Sequence, residues 1–135
     1  MEVIVPFSTT EPKTRLSPLL SPDERASFAR ATLDDVLDAV GAAGGGPRVL
    51  ATGPVDVPCP VTVDDRPLTG AVNAALDARL DPGDPAGPPS DPVAVVMADL
   101  ALATPDALGR LFTAGRDADV ALAPGRCGGT NAFVA

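Results

Sequence analysis

The chain has 135 residues, enough for one domain with a modest core, and its formal net charge is −8. That acidity argues against sequence-independent binding to nucleic acid or to an anionic membrane. Histidine is absent, which excludes Ser/His/Asp triads, Cys/His pairs and histidine-based zinc sites, so catalysis would need carboxylates, Arg, Lys, backbone amides or a bound metal.

The charge is unevenly distributed among residue types, with fifteen Asp, three Glu and a single lysine, Lys13. Such a composition suits a halophilic, cytoplasmic protein that stays soluble in high salt, although a GC-rich genome would give the same bias. The first residues, MEVIVPF, have no basic segment and no long apolar run, so no signal peptide is expected. No apolar run reaches the length of a membrane span.

The first half of the chain predicts a strand, a loop and a long helix. Glu2–Phe7 is a short apolar run typical of a buried strand, and the Pro-rich segment Ser8–Ser21 is a loop. Ser21 as N-cap, Pro22 at the first helical position and Glu24 in a capping box predict a helix that ends within Gly41–Gly46. Its apolar stripe consists of Phe28 or Ala29, with Leu33, Val36, Leu37 and Val40.

The middle of the chain predicts two strands and a helix before a loop. Arg48–Thr52 is the second strand, and a weak third strand lies around Thr62. The next helix is predicted over Leu68–Leu80. The segment Asp81–Pro92 is rich in Pro, Gly and Asp, and it is predicted to be a mobile surface loop within a single domain of residues 1–135.

The remaining segments predict an α/β fold with a mainly parallel sheet. Val93–Leu100 is predicted to be a strand. Its residues before Asp99 are continuously apolar, as expected for a strand covered on both faces. A helix begins at Thr104, a strand is predicted over Ala118–Pro124, and Gly125–Asn131 forms a glycine loop. Strands alternate with helices throughout.

Three predicted strand ends bear residues suited to phosphate chemistry. Ligands of open α/β sheets bind outside the carboxyl ends of the strands. Lys13 and Arg15 follow the first strand and can hold polyphosphate oxygens, while Asp99 can hold Mg²⁺. The glycines at 128 and 129 let backbone N–H groups approach an anion. The pattern therefore predicts magnesium-dependent phosphoryl or nucleotidyl transfer, in which an anionic phosphate nucleophile needs no histidine base.

Each of these residues also has a structural interpretation. Lys13 and Arg15 could be solvated loop charges, Asp99 could cap a turn, and Asn73 could be a solvated helix residue. For Asp99 the functional interpretation is favoured, because a carboxylate directly after a buried strand is costly to hold near the core without a partner.

Four stretches in the same order resemble the 2-phospho-L-lactate guanylyltransferase family, which works in the biosynthesis of coenzyme F-420. They are Pro12–Leu37, Ala71–Leu76, Val95–Leu108 and Leu122–Val134. The resemblance implies a Rossmann-like nucleotidyltransferase fold, with three α/β/α layers, similar to molybdopterin guanylyltransferases. It also implies transfer of GMP from GTP to 2-phospho-L-lactate with release of pyrophosphate.

The resemblance assigns roles by position. Lys13, Thr14 and Arg15 would take the triphosphate, with Lys13 and Arg15 catalytic, and Asp99 would be catalytic through Mg²⁺. Nucleotide binding would extend to Gly70 and Asn73, and the acid substrate would be bound by Gly129, Thr130 and Asn131. Family members continue beyond GGTN into a further phosphate loop and a second metal-binding Asp, so the C-terminal part of the fold is expected to be missing. A homodimer is the expected assembly.

Two other functions remain open from the sequence. The acceptor could be a different phosphorylated compound, such as phosphoenolpyruvate, a sugar phosphate or molybdopterin. Enzymes that use the last two usually have a glycine-rich loop after the first strand, which VPFSTTEPKTRL lacks. The chain could alternatively be a truncated, non-catalytic nucleotide-binding protein.

Overall fold

The computed structural model describes residues 1–9, 19–78, 92–100, 103–126 and 128–135. Strands and helices alternate along most of the chain: β1 (Glu2–Phe7), α1 (Pro22–Ala42), β2 (Gly46–Ala51), β3 (Val61–Val63), α2 (Leu68–Asp77), β4 (Val93–Val96), α3 (Pro105–Asp117), β5 (Ala121–Pro124) and β6 (Thr130–Val134). The predicted α/β class is confirmed. The mobile loop predicted over Asp81–Pro92 lies outside the described residues, apart from Pro92.

One sheet contains all six described strands in the order β3-β2-β1-β4-β6-β5. β1 pairs in parallel with β2 and β4, and β2 pairs in parallel with β3. β6 is antiparallel to both β4 and β5. The carboxyl ends of β1 to β5 therefore lie at one edge of the sheet, together with the amino end of β6. We call this the carboxyl edge.

Helices cover both faces of the sheet, which confirms the three-layer arrangement. Val3 and Val5 point to the face covered by α1 and α3, where Leu33 and Phe112 join the larger core cluster. Ile4 points to the opposite face, covered by α2. Each fully buried Val, Leu or Ile contributes about 1.5–3 kcal/mol by leaving water. Among the described helices, none is long and apolar enough to cross a membrane.

The start of α1 confirms the predicted capping box. The Ser21 hydroxyl accepts a hydrogen bond from the Glu24 N–H at 3.2 Å, and the Glu24 carboxylate accepts one from the Ser21 N–H at 3.0 Å. Hydrogen bonding from Ser21 to the carboxylate, first from its backbone N–H and then from its side chain, holds the pKa of Glu24 below its ordinary value. Of the two candidates for the apolar stripe, Ala29 is buried, whereas Phe28 is 47% exposed.

Several predicted boundaries differ from the structure. The strand predicted over Arg48–Thr52 begins earlier, at Gly46, because the Gly46 N–H donates to the Met1 carbonyl and extends the pairing with β1. The strand predicted from Ala118 begins at Ala121. The apolar run from Val93 is paired only as far as Val96, so Asp99 lies in a turn after the strand.

Strand β6 was not predicted, because its residues were assigned to a glycine loop and a short tail. The turn before it is closed by the Gly125 N–H, which donates to the Gly129 carbonyl at 2.7 Å. Gly128 has a φ of +87°, a left-handed conformation that favours glycine. Thr130 and Asn131 consequently belong to a strand, with Ala132 paired opposite Val96.

Candidate functional site

Hydrogen bonds at the carboxyl edge fix the segment that leaves β1. The Thr9 N–H donates to the Thr52 hydroxyl oxygen at 2.9 Å, and the two threonine hydroxyls lie 3.1 Å apart. The Thr52 N–H in turn donates to the Phe7 carbonyl at 3.1 Å. A Cβ at Gly53 would lie only 2.7 Å from the Thr9 hydroxyl oxygen, so glycine is required for this close approach. The chain is thus held at the edge immediately before residue 10.

The triphosphate residues predicted from the sequence follow that anchored point. Lys13, Thr14 and Arg15 lie outside the described residues. Their predicted roles remain predictions, because the structure describes the chain only up to Thr9 and again from Leu19.

A cavity of about 580 Å³ opens at the carboxyl edge on the side of α2, and we call it the α2-side cavity. This volume lies within the range of small-molecule sites. The cavity lies against the ends of β1, β2 and β4 and the start of α2. Most of its wall is formed by apolar side chains, among them Pro6, Phe7, Leu50, Pro67, Leu68 and Met97. An apolar wall at a strand edge suits a flat organic group such as a nucleobase.

The polar end of this cavity is formed by an aspartate–arginine pair directly after β3. Asp64 Oδ1 accepts hydrogen bonds from the Arg66 N–H at 3.0 Å and from Arg66 Nε at 2.9 Å. Arg66 Nη2 donates to the other oxygen, Oδ2, and Nε is also within hydrogen-bond distance of it, at 3.0 Å. The side chain of Asp64 is 14% exposed, compared with 56% for Arg66. Hydrogen bonds from the guanidinium, and then from the backbone N–H, lower the pKa of Asp64, so this carboxylate is ionised at neutral pH.

The two α2 residues predicted to bind the nucleotide are exposed and do not line the cavity. The helix reaches the cavity through Leu68 and Ala71, while Gly70 and Asn73 lie at other positions around its axis. A Cβ at Gly70 would meet the Arg66 Cβ at an ordinary 3.8 Å, so this position does not require glycine. The binding roles of Gly70 and Asn73 remain predictions.

The start of α2 is nevertheless suited to an anion. Its N-cap is Pro67, which provides no side-chain cap for the first turn. The N–H groups of a first helical turn and the helix dipole favour negative charge.

Asp99 lies beside a second cavity of about 570 Å³ on the side of α3, which we call the α3-side cavity. The expectation that Asp99 is held near the core is wrong, because the residue is exposed. β4 ends at Val96, and the turn that follows brings the carboxylate into solvent. Met97 lines the α2-side cavity, whereas Asp99 and Asn131 line the α3-side cavity. The chain after β4 therefore lies between the two cavities.

The described residues include no group of three or more acidic or Cys side chains that could hold a metal alone. Asp99 offers one exposed carboxylate at the edge of the sheet. Mg²⁺ commonly takes one or two carboxylates, several waters and the oxygens of substrate phosphates. Asp99 thus fits a magnesium ion that arrives with a polyphosphate, and it does not fit a preformed metal site.

The residues predicted to bind the acid lie at the hairpin between β5 and β6. Gly129 and Thr130 are exposed. The Asn131 carbonyl accepts a hydrogen bond from the Met97 N–H at 3.0 Å, which ties the hairpin to the end of β4. A Cβ at Gly125 would come within 3.2 Å of Asn131 Oδ1, so the Asn131 side chain packs against the turn. The structure brings Asn131 and Asp99 to one cavity, and the binding roles remain predictions.

The sequence interpretation missed three charged residues at this edge. Asp64 and Arg66 directly follow the weak strand β3. Because ligands of open α/β sheets bind outside the carboxyl ends of strands, the same reasoning applied to β3 would have singled them out. Arg25 lies in the first turn of α1, which starts at the carboxyl edge, and its Nε is buried and has no hydrogen-bond partner among the described residues. No sequence pattern distinguishes Arg25 from the solvated charges of the same helix.

Comparison with known proteins agrees with this architecture. A 2-phospho-L-lactate guanylyltransferase from Halorubrum lacusprofundi is 67% identical, and the match covers 100% of this chain but 61% of that relative. The corresponding protein of Halomicrobium mukohataei is 62% identical with the same coverage. This chain therefore spans about 61% of the length of these haloarchaeal relatives.

Solved structures share the fold at low sequence identity. A crystal structure described as a nucleotide-diphospho-sugar transferase from Desulfovibrio desulfuricans has a TM-score of 0.75 and 18% identity. The match covers 98% of this chain and 62% of that one. At this identity the likeness concerns the fold alone. The family described as guanylyl transferase CofC like matches residues 1–135, and the chain therefore belongs to that family.

Proposed function

We propose that the chain contributes the nucleotide-binding edge of a magnesium-dependent guanylyltransferase that joins GMP from GTP to 2-phospho-L-lactate. The observation behind this proposal is the α2-side cavity at the carboxyl edge of a nucleotidyltransferase sheet, in a chain that belongs to the guanylyl transferase family. Relatives at 62–67% identity are named for the reaction with 2-phospho-L-lactate.

The proposed substrates divide between the two cavities. The nucleoside occupies the α2-side cavity, against its apolar wall and Asp64. The triphosphate extends past the uncapped start of α2 toward Arg25 and the loop that contains Lys13. The phosphorylated acid lies near Asn131 in the α3-side cavity, and Asp99 lies between the nucleotide and the acid. Gly129 and Thr130 would supply further contacts to the acid's phosphate.

The proposed reaction is a substitution at the α-phosphorus of GTP. An anionic phosphate oxygen of the acid forms the new P–O bond, the bond from the α-phosphorus to the bridging oxygen breaks, and pyrophosphate leaves. No residue has to remove a proton from that nucleophile, which is consistent with a chain without histidine. Lys13, Arg15 and Arg25 would neutralise the charge that develops on the pyrophosphate. Bound Mg²⁺, held in part by Asp99, would supply further neutralisation of the phosphate oxygens.

Product analysis tests the acceptor. The protein is incubated with GTP and Mg²⁺ in high salt, and separate reactions contain 2-phospho-L-lactate, phosphoenolpyruvate or a sugar phosphate. Mass spectrometry is expected to find a guanylylated diphosphate in the first reaction. A guanylylated product formed only with one of the other two acceptors would contradict the assignment of the acid.

Replacing Lys13 with alanine is expected to weaken GTP binding about tenfold or more, because a hydrogen bond to a charged phosphate is lost. Binding of 2-phospho-L-lactate should change less. Both affinities are measured by titration calorimetry with Mg²⁺ present. The control is Arg116→Ala, which removes one positive charge from an exposed residue at the end of α3, on the opposite edge of the sheet. Equal GTP affinity in Lys13→Ala and wild type would make Lys13 a solvated loop charge.

A further inference from the structure

We infer that Asp64 selects the base, its carboxylate accepting a hydrogen bond from the 2-amino group of guanine at the polar end of the α2-side cavity. This inference rests on the proposed function, since it places the nucleoside in that cavity. It adds a specificity-determining residue and names the edge of the base that the residue contacts.

The cavity separates apolar from polar contacts in the way that a purine requires. Side chains at the ends of β1, β2 and β4 and at the start of α2 form an apolar wall. Polar side chains lie mainly after β3, where Asp64, Asp65 and Arg66 are adjacent. A base whose faces contact the apolar wall would direct its polar edge toward these residues.

Asp64 is the better placed of the two carboxylates. Its side chain is 14% exposed, and its backbone N–H donates to the Ala51 carbonyl at 2.8 Å, which continues the β2–β3 ladder. Asp65 is exposed. A carboxylate that is largely withdrawn from water and attached to a strand end discriminates more strongly than one in solvent, because a mismatched ligand leaves it without hydrogen-bond partners.

Arg66 acts as a positioning residue. It donates to Oδ1 from its backbone N–H and from Nε, and to Oδ2 from Nε and Nη2. These contacts fix the plane of the carboxylate and keep it ionised. Two carboxylate oxygens together offer about four acceptor sites. Nε shares its single hydrogen between the two oxygens, so the three hydrogens donated by Arg66 leave about one site, on Oδ2, for a ligand.

The chemistry of the purines makes the contact selective. The Watson–Crick edge of guanine includes the 2-amino group, which can donate to the acceptor site that remains on the carboxylate. Hypoxanthine lacks the amino group, and adenine presents the N1 lone pair, which an anionic oxygen repels. One charge-assisted hydrogen bond corresponds to about tenfold to 100-fold in affinity. The expected order of affinity is therefore GTP, then ITP, then ATP.

Nucleotide titrations of Asp64→Asn test the inference. GTP, ITP and 2′-deoxy-GTP are titrated with Mg²⁺ in high salt. The wild-type protein should bind GTP about tenfold to 100-fold more tightly than ITP. In Asp64→Asn the affinity for GTP should fall to that for ITP, while ITP binding is nearly unchanged. The control, Asp56→Asn, makes the same charge change at an exposed residue between β2 and β3 and should keep the preference.

Each other outcome has a distinct meaning. If wild-type protein binds none of the nucleotides, the proposed function itself fails. If it binds GTP and Asp64→Asn keeps the preference over ITP, only the inference is overturned. If Asp64→Asn instead loses a preference for GTP over 2′-deoxy-GTP, Asp64 contacts the ribose. That result would also overturn the inference. Equal loss of GTP and ITP binding in Asp64→Asn would likewise overturn the inference, because the variant would then weaken binding without changing the choice of base.

Discussion

Replacing Asp99 with asparagine is expected to lower magnesium-dependent pyrophosphate release about 100-fold or more. The substitution keeps the size of the side chain but removes the negative charge that is proposed to hold Mg²⁺. Neutralisation of phosphoryl charge by a metal contributes several kcal/mol, and about 1.4 kcal/mol corresponds to a tenfold change in rate. GTP affinity measured without Mg²⁺ should be nearly unchanged, because Asp99 is exposed and lines the α3-side cavity.

The matched control is Asp106→Asn. Asp106 is an exposed residue in the first turn of α3, where it forms an ion pair with Arg110. Such exposed pairs contribute little to stability, so this variant should retain the wild-type rate. If Asp99→Asn released pyrophosphate at the wild-type rate over a full magnesium titration, Asp99 would be a turn residue without a catalytic role.

Replacing Gly115 with alanine is expected to lower the free energy of unfolding by about 1–3 kcal/mol, because overpacking forces neighbouring side chains to move. Gly115 lies in the last turn of α3, where the helix packs on β6. An added Cβ would lie 2.2 Å from Val134 Cγ1 and 2.4 Å from Val134 Cβ. This loss should exceed the gain of about 0.5–1 kcal/mol that alanine usually brings to a helix. The measurement is urea unfolding followed by circular dichroism.

The same helix provides the control. None of the described residues brings a contact within 4 Å of a Cβ added at Gly109, so Gly109→Ala should raise the free energy of unfolding by about 0.5–1 kcal/mol. Combining Gly115→Ala with Val134→Ala should cost less than the sum of the two single losses, because the shorter side chain lacks the two methyl groups that an added Cβ would meet. Gly115→Ala with unchanged stability would show that α3 does not approach β6 as closely as the structure has it.

Elements with local signals were predicted well from the sequence. Ser21, Pro22 and Glu24 specify the start of α1 through contacts within four residues, and the structure shows the same hydrogen bonds. Thr104 and Pro105 likewise fix the start of α3. The apolar runs in β1 and β4 predicted a sheet covered on both faces, which the helices on its two sides confirm.

Features that depend on distant pairing could not be predicted in the same way. β6 is a short strand whose partner in β4 is more than thirty residues earlier, as in the pair Val96 and Ala132, and no local pattern encodes that register. Asp64 was overlooked because β3 has only three residues and a weak apolar signal. The exposure of Asp99 depends on the residue at which pairing stops in β4. The unbroken apolar run before Asp99 gives no signal that β4 ends at Val96.

Acid-dependent pyrophosphate release distinguishes a guanylyltransferase from a protein that only binds the nucleotide. The protein is mixed with GTP and Mg²⁺ in high salt, and pyrophosphate is measured with and without 2-phospho-L-lactate. We expect release only when GTP, Mg²⁺ and the acid are all present, with one pyrophosphate formed for each acid consumed. GTP binding without any acid-dependent release would contradict the proposed function and would make the chain a nucleotide-binding protein without transferase activity.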